Sequence, residues 1–390
     1  MPTRDEHAQA LDAARCTTDC LFQLVRPDSL YDRSIPERHR IIFYLGHVEA
    51  FDWNLLARYA LGESSFHAEF DRLFAFGIDP PPGQLPDDTP AAWPGVAEVR
   101  RYNRRTREII DDVIGEIPEQ LLHVAIEHRL MHAETFAYIL HQLSYEKKSR
   151  MTPPSVSPRS LTVAALSGQV IEIPEGEARL GLDRGPEFGW DNEFCAHTVN
   201  VPAFAIRRHK VTNGEYLDFV REGAPTPFFW TERDGDWMFR GMFHEYPLPL
   251  ESPVYVTHEE ATAFAKWKGM RLPTEAEYHR ASEGSRESSN VDCRYWDPIA
   301  VTADDEDRQA VPSQMKGNGW EWTSTPFAAF PGFEPFPFYR NYSEPFFDGQ
   351  HYVLKGGSPR TAACFLRPSF RNWFRPSYPY VYGTFRMVKG

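Results

Sequence analysis

Apolar positions recur at helical spacing through the first part of the chain: Leu11, Ala14, Leu21 and Leu24, then Ile41 to Tyr59, Val99 to Ile114 and Leu121 to Leu143. Such spacing puts one apolar stripe on each helix, and stripes of this kind are buried against one another, so the pattern predicts a four-helix bundle. Between the second and third segments run Asp79-Pro-Pro-Pro-Gly83, Asp87-Asp-Thr-Pro90 and Trp93-Pro-Gly95. Proline excludes a helix there and predicts a long surface connection of the kind that borders active sites. Met151-Thr-Pro-Pro-Ser-Val-Ser-Pro158 has little to bury and reads as a linker over 151–162. The domain boundaries are therefore 1–150, 151–162 and 163–390.

From Val163 the pattern changes to short strands and frequent turns, with strands expected at Gln169–Ile173, Ala178–Gly181 and His197–Val201. Helices are expected at Asn213–Glu222 and His258–Lys268, each opened by a capping threonine, Thr212 and Thr257. Between Val291 and Gly390, aromatic residues, glycine and proline dominate, and little regular structure is expected. The fold class is a helical bundle followed by an irregular α+β domain, with no repeat that would build a solenoid or propeller.

Composition narrows the chemistry. A net charge of -13 disfavours nucleic acid and anionic membranes as partners, and no apolar run approaches a membrane span or signal core. A cytoplasmic enzyme acting on small molecules is the expectation. The five cysteines, Cys16, Cys20, Cys195, Cys293 and Cys364, are too sparse for a disulfide framework and are expected as thiols.

The main candidate site is Glu127-His-Arg-Leu-Met-His-Ala-Glu134, which puts His128 and His132 on one helical face. His47, in Leu45-Gly-His-Val-Glu-Ala-Phe-Asp-Trp53, occupies a similar apolar helix. Three neutral imidazoles converging in a bundle would hold a transition metal, with Glu127 and Glu134 as acceptors that orient the rings. By itself a His-x-x-x-His pair is equally an exposed pair or an aromatic core contact. There is no His-Glu-x-x-His, so a zinc protease is disfavoured.

These two histidine segments resemble the metal-binding signature of DinB-type four-helix bundles, in the version found in EgtB-like ergothioneine-pathway sulfoxide synthases. Arg271-Leu-Pro-Thr-Glu-Ala-Glu277, Gly317-Asn-Gly-Trp-Glu-Trp-Thr323, Leu354-Lys-Gly-Gly-Ser358 and Gly383-Thr-Phe-Arg-Met-Val388 are similar to the formylglycine-generating-enzyme/sulfatase-modifying fold, a C-type-lectin-like domain. The resemblance implies a non-haem Fe(II) enzyme that uses O2 to join the sulfur of cysteine or γ-glutamylcysteine to the imidazole of Nα-trimethylhistidine (hercynine). It implies His47, His128 and His132 as iron ligands, and a substrate pocket between the domains near Asn372 and Trp373. An indole face suits a quaternary ammonium group, and asparagine a carboxylate or amine, although Trp373 is equally a candidate for domain core. Arg371 and Arg375 are candidate carboxylate clamps or structural ion pairs, with Arg340 behind them.

Two positions depart from the family pattern: Phe374 where an acidic residue is common, and Met131 where a glutamine is often found. Tyr102 is the first candidate for proton donor, ahead of Tyr378 and Tyr380. The Gly317–Trp322 stretch is read as structural, with Asn318 supporting a tight turn.

Alternatives within reach of the same residues are a selenoneine-type synthase using a selenosugar, a metal-dependent thiol transferase, and a binding protein built on the lectin-like domain. Formylglycine generation needs a copper-binding cysteine pair late in the chain. The final segment has none, and only a meeting of Cys293 and Cys364 would revive that reading.

Overall fold

A computed structural model describes residues 4–77, 85–149, 168–285, 290–302 and 311–389. The expected linker at 151–162 and the Asp79–Gly83 part of the proline-rich connection lie outside these residues. The chain divides into two units, Met1–Met151 and Thr152–Gly390.

The first unit contains α1 (Arg4–Gln23), α2 (Ile41–Asp52), α3 (Ala68–Phe76), α4 (Val96–Val113) and α5 (Glu119–Gln142). The four expected helices are present, and α3 is an addition. It is short, and its N-terminus is capped by His67, whose Nδ1 accepts from the Phe70 backbone N–H. Histidine is outside the usual capping set, so no start signal marks it in the sequence. After Asp52 the chain continues through Trp53–Tyr59 as a π-helix, a widening that frequently accompanies functional sites.

Helix α2 is buried on every side, from Ile41 through Ala50. This forces its polar residues to find partners inside the unit. Glu49 and Asp52 meet Arg129 of α5, which is fully buried: its guanidinium donates to Glu49 Oε1 at 2.9 Å, Asp52 Oδ2 at 2.5 Å and the Val48 carbonyl at 3.1 Å. Arg107 of α4 joins the same Glu49 oxygen and also grips Asp19 of α1 at 2.7 and 2.8 Å. One charge network thus ties four helices together. Burial would raise Glu49, but Arg129 and Arg107 hold it down to about 2; at Asp52, burial prevails and raises the carboxyl.

In the second unit, β1 (Val170–Ile173), β4 (Phe204–Arg207), β13 (Val388–Lys389) and β8 (Met270–Arg271) form one sheet in that spatial order. A second sheet has the order β11 (Asn372–Phe374), β10 (Tyr352–Lys355), β9 (Trp320–Pro326) and β12 (Gly383–Thr384). The β2–β3 pair (Gly176–Leu180 and His197–Val201) and the β5–β6–β7 meander (Trp230–Arg233, Asp236–Arg240 and Glu245–Pro247) complete the strands.

The expected helices appear as α6 (Asn213–Arg221) and α7 (His258–Trp267), with Thr212 and Thr257 capping as anticipated. A third, α8 (Glu275–Ser282), opens with the reciprocal cap of Thr274 and Glu277. The region after Val291 is more regular than expected, since β9 to β13 all lie there. Its strands are short and have no clean alternation to announce them.

The Gly317–Trp322 stretch is structural. Trp320 and Trp322 are buried, and the Asn318 amide bonds the Ile299 carbonyl and Gln314 from a left-handed backbone position. Glu321 pairs with Arg386 at 2.6 Å and with Lys210 at 3.3 Å. Burial brings the Lys210 ammonium down to about 8.

Removing the cation at the centre of the first network leaves the buried Asp52 carboxylate uncompensated and Glu49 with Arg107 alone. Arg129→Met is expected to lower the unfolding free energy by about 3–5 kcal/mol in urea titration.

Candidate metal centre

His47 comes from the middle of α2, and His128 and His132 from successive turns of α5. One ring nitrogen from each lies within 4.8 Å of the others. His47 Nε2 and His132 Nε2 are 3.2 Å apart. The third residue completes a compact triangle of rings: His128 is 5.3 Å from His47 and 4.4 Å from His132, centroid to centroid.

Neighbours fix the rings. His47 Nδ1 donates to the Phe74 carbonyl of α3 at 2.6 Å, which leaves a bare lone pair on Nε2. Phe43 stacks on His47, and Phe51 lies flat on His128 with centroids 3.4 Å apart. The approach of α3 depends on Gly46: a Cβ there would overlap the buried ring of Phe74.

Burial brings His47 down to about 4 and pushes His128 and His132 well below the usual imidazole range, the neighbouring imidazoles lowering the last two further. All three are therefore neutral at pH 7. Because the folded values lie below the unfolded ones, the unfolded chain binds more protons in the acid range. This contribution to stability is complete above about pH 6.5 and is lost as pH falls toward 4.

The donor set fits a first-row divalent metal ion. With Nδ1 of His47 protonated, the 3.2 Å gap between the two Nε2 atoms must contain a proton or a cation. His132 Nδ1 is buried and has no hydrogen-bond partner among the described residues. Three imidazoles provide nitrogen ligands of the type that suits iron, zinc or copper and leave further coordination positions open.

The other candidate residues are placed as follows. Tyr102 lies one layer behind the cluster: its hydroxyl donates to Asp71 Oδ1 at 2.9 Å, and its ring packs on Phe66, Phe70 and Phe74. Burial and the Asp71 carboxylate push its pKa far up, so its placement favours anchoring of α3 over proton donation. Met131 is half-buried on α5.

Asn372, Trp373 and Phe374 form β11. Trp373 stacks face to face on Phe327, with centroids 4.2 Å apart and planes within 5°, so one indole face is already covered. Asn372 Oδ1 accepts from the Trp373 backbone N–H at 3.0 Å, and its amide NH2 makes no hydrogen bond to a described residue. Phe374 stacks on Tyr378.

Arg371 is a core ion pair, which corrects its candidacy as a carboxylate clamp. It is buried, donates to Glu275 Oε1 at 3.0 Å and the Ala328 carbonyl at 2.9 Å, and lies over Phe330. Arg375 is exposed and has no ion pair among the described residues, whereas Arg340 is exposed beside Glu344 at 3.9 Å.

No disulfide joins any of the five cysteines. The loops carrying Cys293 and Cys364 are joined by hydrogen bonds, Cys293 N–H to the Pro359 carbonyl and Ala363 N–H to Asp292.

A three-histidine candidate metal centre on a helical unit, followed by an α+β domain stabilised by buried ion pairs, defines the class. Residues 159–309 and 312–390 match the sulfatase-modifying factor enzyme 1-like domain. The chain is 32% identical to a hercynine oxygenase of Mycolicibacterium thermoresistibile, over 75% of this chain and 74% of that protein. It is 29% identical to ergothioneine biosynthesis protein 1 of Schizosaccharomyces pombe, over 94% of this chain but only 54% of the relative, so it spans about half of that longer protein. A formylglycine-generating enzyme of Streptomyces coelicolor is 28% identical over 45% of this chain. The chain belongs to the EgtB-like family of ergothioneine-pathway enzymes and carries that family's sulfatase-modifying domain.

Sequence reasoning missed Phe74. It acts through a backbone carbonyl, which has no residue-type signature; the nearest signal is Gly46 beside His47. Gly46→Ala is expected to cost about 1–3 kcal/mol in denaturant unfolding through overpacking and to weaken metal binding in equilibrium dialysis.

Proposed function

We propose that this chain is a non-haem Fe(II)- and O2-dependent sulfoxide synthase that joins a thiol, cysteine or γ-glutamylcysteine, to the imidazole ring of hercynine. The observation carrying this reading is the convergence of three neutral imidazoles, with His47 and His132 Nε2 3.2 Å apart, in a chain of the EgtB-like family. The electron balance is closed: forming the C–S bond removes one C–H and one S–H hydrogen, and oxidising sulfur to the sulfoxide removes two more electrons. O2 accepts all four, placing one oxygen on sulfur and the other in water.

His47, His128 and His132 would hold Fe(II). Iron so held supplies one-electron chemistry with O2 and open positions for substrates. The chain's own contribution is positional. Phe74 fixes the His47 tautomer, Phe43 and Phe51 hold ring planes, and burial keeps all three ligands deprotonated at neutral pH. Asn372 is assigned to hydrogen-bonding the substrate through its unused amide, and Arg375 to attracting a carboxylate. Trp373 has one covered face, so only its opposite face or its edge is assigned to the trimethylammonium group.

The test is anaerobic loading with Fe(II), addition of hercynine and each thiol, and exposure to air. Mass spectrometry is expected to show a sulfoxide with at least one donor, and His132→Ala is expected to lose both iron and turnover. Cys364→Ser should retain turnover, because no thiol of the protein enters the balance. Oxygen-independent turnover with bound zinc would replace this reading with a thiol transferase, and a product formed only from a selenosugar would replace it with a selenoneine-type synthase.

A further inference from the structure

We propose that His7, Glu119 and His123 form a second metal site, which takes a zinc-type divalent cation and ties the first turn of α1 to the first turn of α5. It lies in the helical unit, uses none of the three-histidine ligands, and does not depend on the reaction proposed above.

The geometry begins with the helix period. Glu119 and His123 stand at i and i+4 on α5 and so share a face. His7 reaches the same place from α1. Its Nε2 lies 3.6 Å from Glu119 Oε1, and His123 Nε2 lies 3.7 Å from that same oxygen. One donor atom from each residue falls within 4.8 Å of the others, and the imidazole rings meet edge to face at 5.3 Å.

Those separations are too long for hydrogen bonds and suited to a shared ion. Zinc binds imidazole nitrogen and carboxylate oxygen at about 2.0–2.2 Å, and a tetrahedron with bonds of that length has edges of roughly 3.3–3.6 Å. A few tenths of an ångström of side-chain movement would close the site.

The independent observation is at His7. The residue is only 7% exposed, and its Nε2 is buried with no hydrogen-bond partner among the described residues. A polar nitrogen in that position is costly unless something binds it, and it points at the oxygen that would share the ion. Glu119 and His123 remain partly accessible, so an ion and a completing water can enter.

Two imidazoles with one carboxylate suit zinc, cobalt or nickel rather than magnesium or calcium. Both first turns carry the positive ends of their helix dipoles, which oppose a cation. Glu119 is the group that reverses the local sign, so the site should depend on its charge as well as its shape.

Equilibrium dialysis of the metal-free full chain against Co2+, followed by visible absorption, tests this directly. The wild type is expected to bind two equivalents. Glu119→Gln and His123→Ala, both at partly exposed positions, are each expected to bind one; His132→Ala should lose the other equivalent and keep this one. Added Zn2+ should raise Tm less in Glu119→Gln than in the wild type. A single equivalent in the wild type, or two in either Glu119→Gln or His123→Ala, would overturn the proposal.

Discussion

Arg129 carries a guanidinium charge at a position with no exposed surface, and the histidine cluster depends on where that charge is neutralised. Its partners Glu49 and Asp52 lie on α2, on either side of the helical turn that follows His47. Arg129 itself is the residue after His128. The ion network therefore sets the separation and rotation of the two helices that carry the three imidazoles. Hydrophobic packing alone tolerates sliding of one helix over another, whereas a buried charge bound to two carboxylates does not, because any slip leaves a charge without its partner.

The second constraint comes from α3. Phe74 accepts the His47 Nδ1 proton only because Gly46 lets α3 approach, while Asp71, one turn earlier, receives Trp53 Nε1, Tyr102 and Ser65. This short helix is held by the acidic hub as well as by the packing of Phe70 and Phe74. The carbonyl that fixes the His47 ring and the carboxylate that anchors α3 belong to the same element.

The histidines themselves were legible because chemistry of that kind requires a residue type at a fixed spacing. The main helices were legible because their apolar stripes are long. Helix α3 was not, since its cap is a histidine and its role is played by a carbonyl. Arg371 shows the converse difficulty: an arginine beside Asn372 and Trp373 reads as a substrate clamp, and only the buried partner Glu275, distant in sequence, reveals a core ion pair. The strands after Val291 were hidden for a related reason. Buried pairs such as Glu321 with Arg386 hold them, and such pairs have no local period. His7 and His123 looked ordinary because their convergence joins two helices at opposite ends of the unit's sequence.

The proposed chemistry requires the three imidazoles to act as one site. X-ray absorption at the iron edge, on protein loaded anaerobically with Fe(II) and compared with its His47→Ala variant, measures this most directly. Bound iron with three imidazole shells in the wild type, falling to two or to no bound iron in the variant, is the result the structure predicts. Iron bound equally in both, with an unchanged imidazole count, would contradict it.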